Sequence, residues 1–570
     1  MPHSVASSPQ VVPFSSDRLE MLFSQTTGLV SRFSQGMQGL CKALQTEAQA
    51  SSPLNTSVGC NRFQSQDLSC VGAEISKPFS SSSLPPSLAS RHLATSFIPR
   101  ASSAAGSPSF LRQATGPANS HATDLLPWLR QLGAPQFPEA LHPNARRVAV
   151  VGSGIAGLSA AWALSSQARV TLFEANDYFG GHTHTVDVDL QGQRHGVDTG
   201  FLVFNERTYP LLIQLFEQLG VEVAASDMSF SVQAPGSDLE WSGSNLNTVF
   251  AQRSNLLRPD FWRMLADLQR FNRLCTELAN SGQERALAQP IGDFLAEQRF
   301  SHAFRDWYLL PMVACIWSCP TAQMMSFPIS TLIRFCHNHG LLQVTDRPQW
   351  FTVRGGARHY VEKLLPRIAD PRLNCPVYRV ERHNTGGVSV HSAAGTEAFD
   401  AVVMASHSDQ TLHLLDHCSP LERQVLGAIS YQRNRAVLHT DSSLLPQRPR
   451  AWAAWNYEHS GRAAGAEQGA VCLHYLLNRL QPLPWQEPVL VSLNPVREPK
   501  AELVQGEFDY AHPVFDRAAV AAQARVAQMQ GEGQVWFCGA WTRYGFHEDG
   551  LLSGLGAARA MLAQWAARPA

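Results

Sequence analysis

Charge is scarce in this chain. Charged residues fill 16 % of its 570 positions, against roughly 25 % in ordinary soluble domains, so a large core or apolar cavities are expected. Neither sign dominates: 45 Lys and Arg face 46 Asp and Glu, for a formal net charge of -1. A general nucleic-acid binder needs a basic surplus, so no nucleic-acid partner is expected. Cysteine is sparse, with 11 scattered residues, which argues against a disulfide-built secreted fold and suits a reducing cytoplasm. No apolar run reaches the ~18 residues of a membrane-spanning helix. The nearest, Trp307 to Pro320, is interrupted by Pro311. It reads as a core helix or tunnel wall, with peripheral contact to a membrane surface as the open alternative. Internal repeats are absent.

The first 140 residues also lack hydrophobic periodicity. Residues 1–120 hold 26 serines, and Ser80 to Ser83 run into Pro85 and Pro86. Such a segment buries too little apolar area to offset its ordering entropy, so residues 1–140 read as a mostly disordered extension and linker. Leu19 to Ala48 is the exception, with the spacing of a weak amphipathic helix. No apolar stretch follows a basic start, so a secretory signal is not expected. Asp17, Glu20 and thin arginine weigh against a transit peptide.

From Arg146 onward the chain is dense in motifs. Val148 to Gly152 is a β-branched run of the kind a buried parallel strand carries. Gly152, Gly154 and Gly157 then open a small-residue helix through Leu164, with Ile155 and Ala156 in its first turn. The first glycine permits a tight turn, the second lets backbone approach a pyrophosphate, and the third lets helix and strand pack closely. The helix N-terminus offers free N–H groups to phosphate oxygens. A second strand, Arg169 to Phe173, ends at Glu174, 17 residues after Gly157, near the ~20 expected of a ribose-binding carboxylate. Strand, glycines, helix, strand and acid in this order predict a dinucleotide site. They do not choose between NAD and FAD.

The residues that follow resemble the flavin-containing amine oxidase superfamily. After Glu174 and Ala175 come Gly180, Gly181, His182 and Thr183, similar to the family's Gly-Gly-Arg doublet and threonine, with His182 in the arginine's place. Val197 to Leu202, including Gly200, Phe201 and Leu202, resembles the family's Asp-x-Gly segment beside the flavin ring. Gly355-Gly356 looks like its middle glycine doublet, and Val377 matches the position whose backbone reads the adenine edge. Gly539 ends a late strand, and Gly550, Leu551 and Leu552 sit at the family's second glycine-rich helix start. An NAD dehydrogenase has no reason to return its late segment to the dinucleotide, so the resemblance implies FAD. Phe201 to Pro210, His337 to Gly340 and Tyr544 to Gly550 further resemble a bacterial branch similar to the flavin domain fused ahead of some plant cyclopropane fatty-acid synthases.

The resemblance implies hydride transfer from a substrate C–H to FAD, with reoxidation by dioxygen or another electron acceptor. Three departures weaken a simple amine substrate. Phe546 stands where the family places a tyrosine, Ala540 and Trp541 replace the acid after the strand glycine, and Arg435 falls, by loose alignment, near the family's lysine. Candidate catalytic residues are His547, a base suited to neutral pH, and Arg435. The alternative for His547 and Glu548 is that they orient the helix start. Phe546, Trp541 and Tyr544 are expected to wall the substrate pocket. Cys315 and Cys319, spaced i, i+4, with Cys336, His337 and His339 nearby, are of types that suit zinc, but they lie in an apolar run in no standard spacing. Core packing is the preferred reading, and no metal is assigned.

The expected architecture is α/β: a doubly wound FAD-binding domain from residues 141–230, 345–407 and 530–570, interleaved with an α+β substrate domain from 231–344 and 408–529. Asn255 to Asn280, Ile291 to Trp317 and Phe327 to Leu342 read as helices. Asn434 to Thr440, Val471 to Asn478 and Val489 to Leu493 read as strands of a second sheet. The function expected is an FAD-dependent oxidoreductase acting on a small molecule, a lipid or an unsaturated fatty acyl chain. The alternatives are an oxidase of small amines and a non-catalytic flavin-binding partner of a lipid-modifying enzyme.

Overall fold

The computed structural model describes residues 120–133, 144–343, 347–459 and 471–567. The helix expected over Leu19 to Ala48 lies outside them. Ser120–Leu132, which the sequence reading leaves in a linker, is helical. Ala122, Leu125 and Leu129 share one face of it and are buried, and that burial holds the helix despite Pro127.

A five-stranded, wholly parallel sheet carries the glycine turn. Its strands run in the order Asp370–Arg372, Arg169–Phe173, Arg147–Val151, Ala401–Met404, Val535–Phe537. The three inner strands are almost continuously buried, as strands covered on both faces should be. Helix Ile155–Leu164 follows the first strand with every residue buried. A Cβ on Gly157 would lie 1.9 Å from the Gly152 carbonyl oxygen, so only glycine lets helix and strand approach this closely. The late helix His547–Ala567 packs against the same helix. A Cβ on Gly554 would meet the Ala156 oxygen at 2.1 Å. An antiparallel meander of Val377–Arg382, Val388–Ser392 and Gly395–Phe399 leads into the strand Ala401–Met404.

A second, mixed sheet has seven strands, in the order Val504–Val514, Ser430–His439, Leu490–Leu493, Cys472–Leu476, Trp455–Glu458, Phe230–Ala234, Leu239–Ser242. Three of these answer to the strands read from sequence. Long helices, Pro259–Ser281 and Ile329–Asn338 among them, share an apolar core with it. The segment Ile291 to Trp317 is not one helix. It breaks after Glu297, and a π turn at Arg305–Leu309 precedes the helix Leu310–Trp317. Pro311 has no N–H for the carbonyl of Trp307 four residues back, and Trp241 Nε1 donates to that oxygen instead, at 3.3 Å. Leu309, Val313, Ala314, Cys315, Trp317 and Cys319 are buried in the core. Among the described residues no helix is long and apolar enough to cross a membrane.

Candidate functional site

The glycine turn sits at the carboxyl end of the central strand. Gly152 takes φ +101°, which disfavours a side chain, and its N–H donates to the Phe173 carbonyl at 2.9 Å. Gly154 precedes the first helical residue, and a Cβ there would meet no atom within 4 Å. The contrast with Gly157 is informative: one glycine serves packing, the other keeps space open. Glu174 is buried and accepts hydrogen bonds from the Ser153 N–H (3.0 Å), the Ser153 hydroxyl and the Asn176 N–H (3.0 Å). Its carboxylate retains further lone pairs. Ala175 beside it is exposed. The Cys375 N–H donates to the Glu174 carbonyl at 2.8 Å, which brings Val377 to this end of the sheet. Gly181, at φ +59°, lies against Gly154: its Cβ position is 3.0 Å from the Gly154 Cα. The two loops thus flank one open space.

The next stretch is built as a tight stack. A Cβ on Gly200 would meet the His182 oxygen at 2.3 Å, and the Phe201 N–H donates to that oxygen at 2.7 Å. Phe201 and Leu202 are buried beside it. Asp198 ties three segments together. It accepts from the Thr185 hydroxyl, from the Ala357 N–H after the Gly355-Gly356 turn (2.9 Å) and from Gln481 Nε2 (2.6 Å). Burial raises its carboxyl to about 6 despite these donors.

The late segment closes the site. Gly539, at φ +157°, donates its N–H to the Ser553 hydroxyl at 2.9 Å, and that hydroxyl donates to the Gly550 carbonyl. The strand end is thereby fastened to the helix start. A Cβ on Gly550 would lie 2.7 Å from Ile155 Cγ2; Leu551 is fully buried and Leu552 partly so. His547 Nε2 is 2.9 Å from the Thr183 hydroxyl and 3.0 Å from the Tyr360 hydroxyl. Burial pushes its imidazole down to about 3, so it is neutral and locked in place. Glu548 accepts from the Leu211 and Leu212 N–H groups at 2.8 and 3.0 Å, and so caps the helix Pro210–Leu219. Burial raises its carboxyl to about 8.

Phe546 and Tyr544 share an aromatic wall. The Phe546 ring stacks on Phe335 at 5.1 Å and 25°, and Phe335 stacks on His339 at 3.9 Å and 23°. Tyr544 is 6.2 Å from Phe335. Phe546, Tyr544, His339, Tyr209, Glu548 and Asp549 line one cleft of about 500 Å³, counted to its open mouth. Trp541 does not join them. It packs with Val151, Phe173, Met404 and Phe537 in a different apolar cluster, because its ring folds back over Gly539. Arg435 is also removed from the site. On its strand Asn434 and Ala436 are buried, and Arg435 between them points to the other face, as alternation requires. There it pairs with Glu498 and Glu507 at 2.9 Å each.

Three imidazoles that the sequence reading did not group converge beside the glycine turn. His182 follows Gly181. His407 follows Ser406, whose nitrogen is 3.2 Å from the Cβ position of Gly152. His512 comes from the long strand Val504–Val514. The His182 ring lies 6.2 Å from that of His407, 5.2 Å from His512 and 5.2 Å from Tyr510. His407 sits at the carboxyl end of a parallel strand, where ligands of such sheets bind, a signal the sequence held. The pattern around His512, with Gly506 and Pro513, carried none.

The zinc arrangement weighed from sequence does not assemble. The helix ends at Trp317 with Ser318 left-handed at φ +52°, so Cys315 and Cys319 do not share a helical face. The Cys319 thiol donates to the Trp317 carbonyl. Among the described residues, Glu458, Cys472 and His474 do bring ligand atoms within 4.8 Å of one another. Arg497 already engages both Glu458 oxygens, at 3.0 and 3.2 Å.

Residues 155–438 match the family model for flavin containing amine oxidoreductase. No curated protein sequence matches the chain. Among solved structures, the fold is similar to a fatty acid isomerase from P. acnes that produces CLA, with 16 % identity and a TM-score of 0.53 over 74 % of this chain and 99 % of that one. It is equally similar to cyclohexylamine oxidase from Brevibacterium oxydans, with 17 % identity and a TM-score of 0.54 over 74 % and 100 %. Putrescine oxidase aligns with 16 % identity and a TM-score of 0.52 over 73 % and 99 %. At these identities the structural likenesses establish the fold alone.

Proposed function

Because this chain belongs to the flavin-containing amine oxidoreductase family, we propose that it is an FAD-dependent oxidoreductase that oxidises a C–H bond of an uncharged, apolar substrate, a lipid or unsaturated fatty acyl chain. The residues fit the cofactor. The space kept open at Gly154 adjoins the first turn of a helix, whose N–H groups lack intrahelical partners and favour phosphate. In this reading the Gly152–Gly157 turn and Gly180-Gly181 take the pyrophosphate, Glu174 the ribose, Val377 the adenine edge, and Gly550, Leu551 and Leu552 the flavin end. Residues 141–230, 345–407 and 530–570 hold FAD, and 231–344 and 408–529 shape the substrate side. FAD supplies the hydride acceptor and passes its electrons to dioxygen or another acceptor.

The observation that carries the substrate class is the wall of Phe546, Phe335 and His339. Phe546 presents a ring with no hydroxyl. The two lining carboxylates are already engaged, Glu548 by backbone N–H groups and Asp549 by the Phe546 N–H and by Arg543 at 3.6 Å. Burial holds His339 down to about 4, so it is neutral. Thr208, Asn338 and Arg543 also line the cleft, and Arg543 is itself paired to Asp549, so the wall at Phe546 suits an alkyl chain and an ammonium finds no free counter-charge. The chain's own part is to position the substrate carbon and exclude water.

The test is the absorption spectrum of the purified protein, with FAD identified after acid release, followed by anaerobic titration. Bleaching of the flavin bands by unsaturated fatty acids and not by putrescine or cyclohexylamine is expected. Bleaching by the amines instead would overturn the lipid reading. Retained flavin that no candidate bleaches would favour the non-catalytic partner of a lipid-modifying enzyme.

A further inference from the structure

Seven large apolar side chains stand exposed among the described residues, and three of them fall within twelve positions: Leu246, Leu256 and Leu257. Leu257 is 86 % exposed and Leu246 66 %. A lone exposed leucine is ordinary on a protein surface, but a cluster marks a contact. These three are held out by a built scaffold. Leu246 begins the short helix Leu246–Val249, closed at its first turn by Asn245 and Thr248, each side chain accepting the other's N–H at 3.1 and 3.0 Å. Leu256 and Leu257 end the 3-10 turn Arg253–Leu257. Arg253 Nη2 donates to Asn247 Oδ1 at 2.7 Å and so ties turn to helix. The Phe250 ring lies 5.2 Å from that of Trp262, and Trp262 Nε1 donates to the Leu256 carbonyl at 2.9 Å. Phe250 and Phe261 are buried. The aromatic residues of this segment thus serve the core, and the three leucines stay in solvent.

The charge around them is mostly positive. Asp238 is matched by Arg258 at 3.6 Å. Glu240 is buried and accepts from the Gln447 and Arg448 N–H groups and from Arg448 Nη1, at 2.7, 3.2 and 2.9 Å. That anchor fixes the turn Pro449–Ala451, which packs against the helix Leu246–Val249 and brings Arg450 to it. The remaining exposed charges of the segment and the adjoining turn are Arg253, Arg263 and Arg450 against Asp260.

We infer that residues 244–263 seat the protein on an anionic lipid bilayer, with the leucines entering the acyl boundary and the arginines staying at the level of the lipid phosphates. Apolar tips ringed by guanidinium groups gain from both layers of such a surface. A protein partner fits less well. Protein interfaces centre on packed aromatic and arginine anchors, whereas here the tips are leucines and the tryptophan is partly covered, with its N–H engaged. The seat is peripheral, since no helix among the described residues can cross a membrane. It is also not the run Trp307 to Pro320, whose Leu309, Val313, Ala314 and Trp317 are buried. Phe250 and Phe261 belong to the same apolar core as Phe335 of the cleft wall, so the seat and the proposed acyl wall share one core. The inference goes beyond the substrate reading, because bilayer binding requires neither flavin nor turnover.

The test sediments the purified full-length protein with vesicles of phosphatidylcholine, with and without phosphatidylglycerol, and follows amide hydrogen exchange in their presence. Binding to the anionic vesicles is expected, with slower exchange over residues 246–262, and it should weaken as salt rises. Leu246→Ser combined with Leu257→Ser should weaken binding about tenfold or more. The control Leu373→Ser, at an exposed leucine beside the other sheet, should bind as the unaltered chain does. Arg253→Gln combined with Arg263→Gln should reduce binding on anionic vesicles toward that on phosphatidylcholine alone. Circular dichroism should be the same for all of them. No binding to anionic vesicles would overturn the inference and leave the flavin and substrate readings untouched. Binding that the leucine pair does not diminish would place the contact elsewhere in the chain and overturn it as well. A self-associated protein that the leucine variant turns monomeric, with no vesicle binding, would assign the surface to a second copy of the chain instead.

Discussion

The ring of His547 lies flat on the ring of Phe201, with centroids 3.7 Å apart and planes 12° from parallel. With Thr183 and Tyr360 on its Nε2, this imidazole is a structural peg between the Asp-x-Gly segment and the late helix. His547→Phe should keep the stack and lose two hydrogen bonds, at a cost of about 1–3 kcal/mol, read as a lower urea midpoint at unchanged slope.

The same burial predicts acid sensitivity. His547 is held to about 3, and His339 and His512 to about 4, against roughly 6.5 in an unfolded chain. Between these values the unfolded state binds more protons, so stability is full above pH ~6.5 and declines as pH falls toward 4. The thermal midpoint of the cofactor-free chain should drop between pH 7 and pH 5. His547→Phe should show a smaller drop than the unaltered chain.

Two glycines three residues apart should fail differently. Gly157→Ala drives a methyl into the Gly152 oxygen and should abolish folding, seen as insoluble protein. Gly154→Ala meets nothing within the protein and should fold, with an unchanged circular dichroism spectrum, but purify colourless. A yellow Gly154→Ala protein would place the pyrophosphate elsewhere.

Glu548 offers a test by conservative replacement. Glu548→Ala removes the acceptor of two helix N–H groups and should cost about 1–2 kcal/mol. Glu548→Gln keeps one acceptor and removes a carboxyl that burial raises to about 8. A raised carboxyl favours the folded state at low pH and loses that contribution as pH rises through 8. The glutamine variant should therefore lose less stability than the unaltered chain between pH 6 and pH 9.

Arg435→Ala should leave turnover within about twofold, since the side chain points away from Asn434 and Ala436 and its pairs with Glu498 and Glu507 are exposed. A tenfold loss would return Arg435 to the site.

Much of this was legible in the sequence because the local rules agree there. Glycine spacing, a β-branched run and an acid at the next strand's end locate the turn, the helix and Glu174 with little room for other answers. The Trp541 assignment failed because a short turn folds its ring back over Gly539, and the Arg435 assignment failed for lack of register. A strand's alternation decides which face a residue sees, and loose alignment does not reveal it. The helical spacing of Cys315 and Cys319 failed because Pro311 and a left-handed Ser318 bracket a short helix. The histidine trio was unreadable because its members lie on three elements joined by tertiary structure alone.

Thr183 and His547 stand 364 residues apart in the chain yet share a hydrogen bond, and Gly554 is seated on the helix that starts at Ile155. The order of synthesis therefore matters. A nascent chain that has emerged through the second sheet already possesses the glycine turn, but the helix behind it has one side uncovered and the site lacks the residues of the late helix. Completion of the site therefore waits on the late helix, and until that helix is made the helix from Ile155 keeps an apolar side bare.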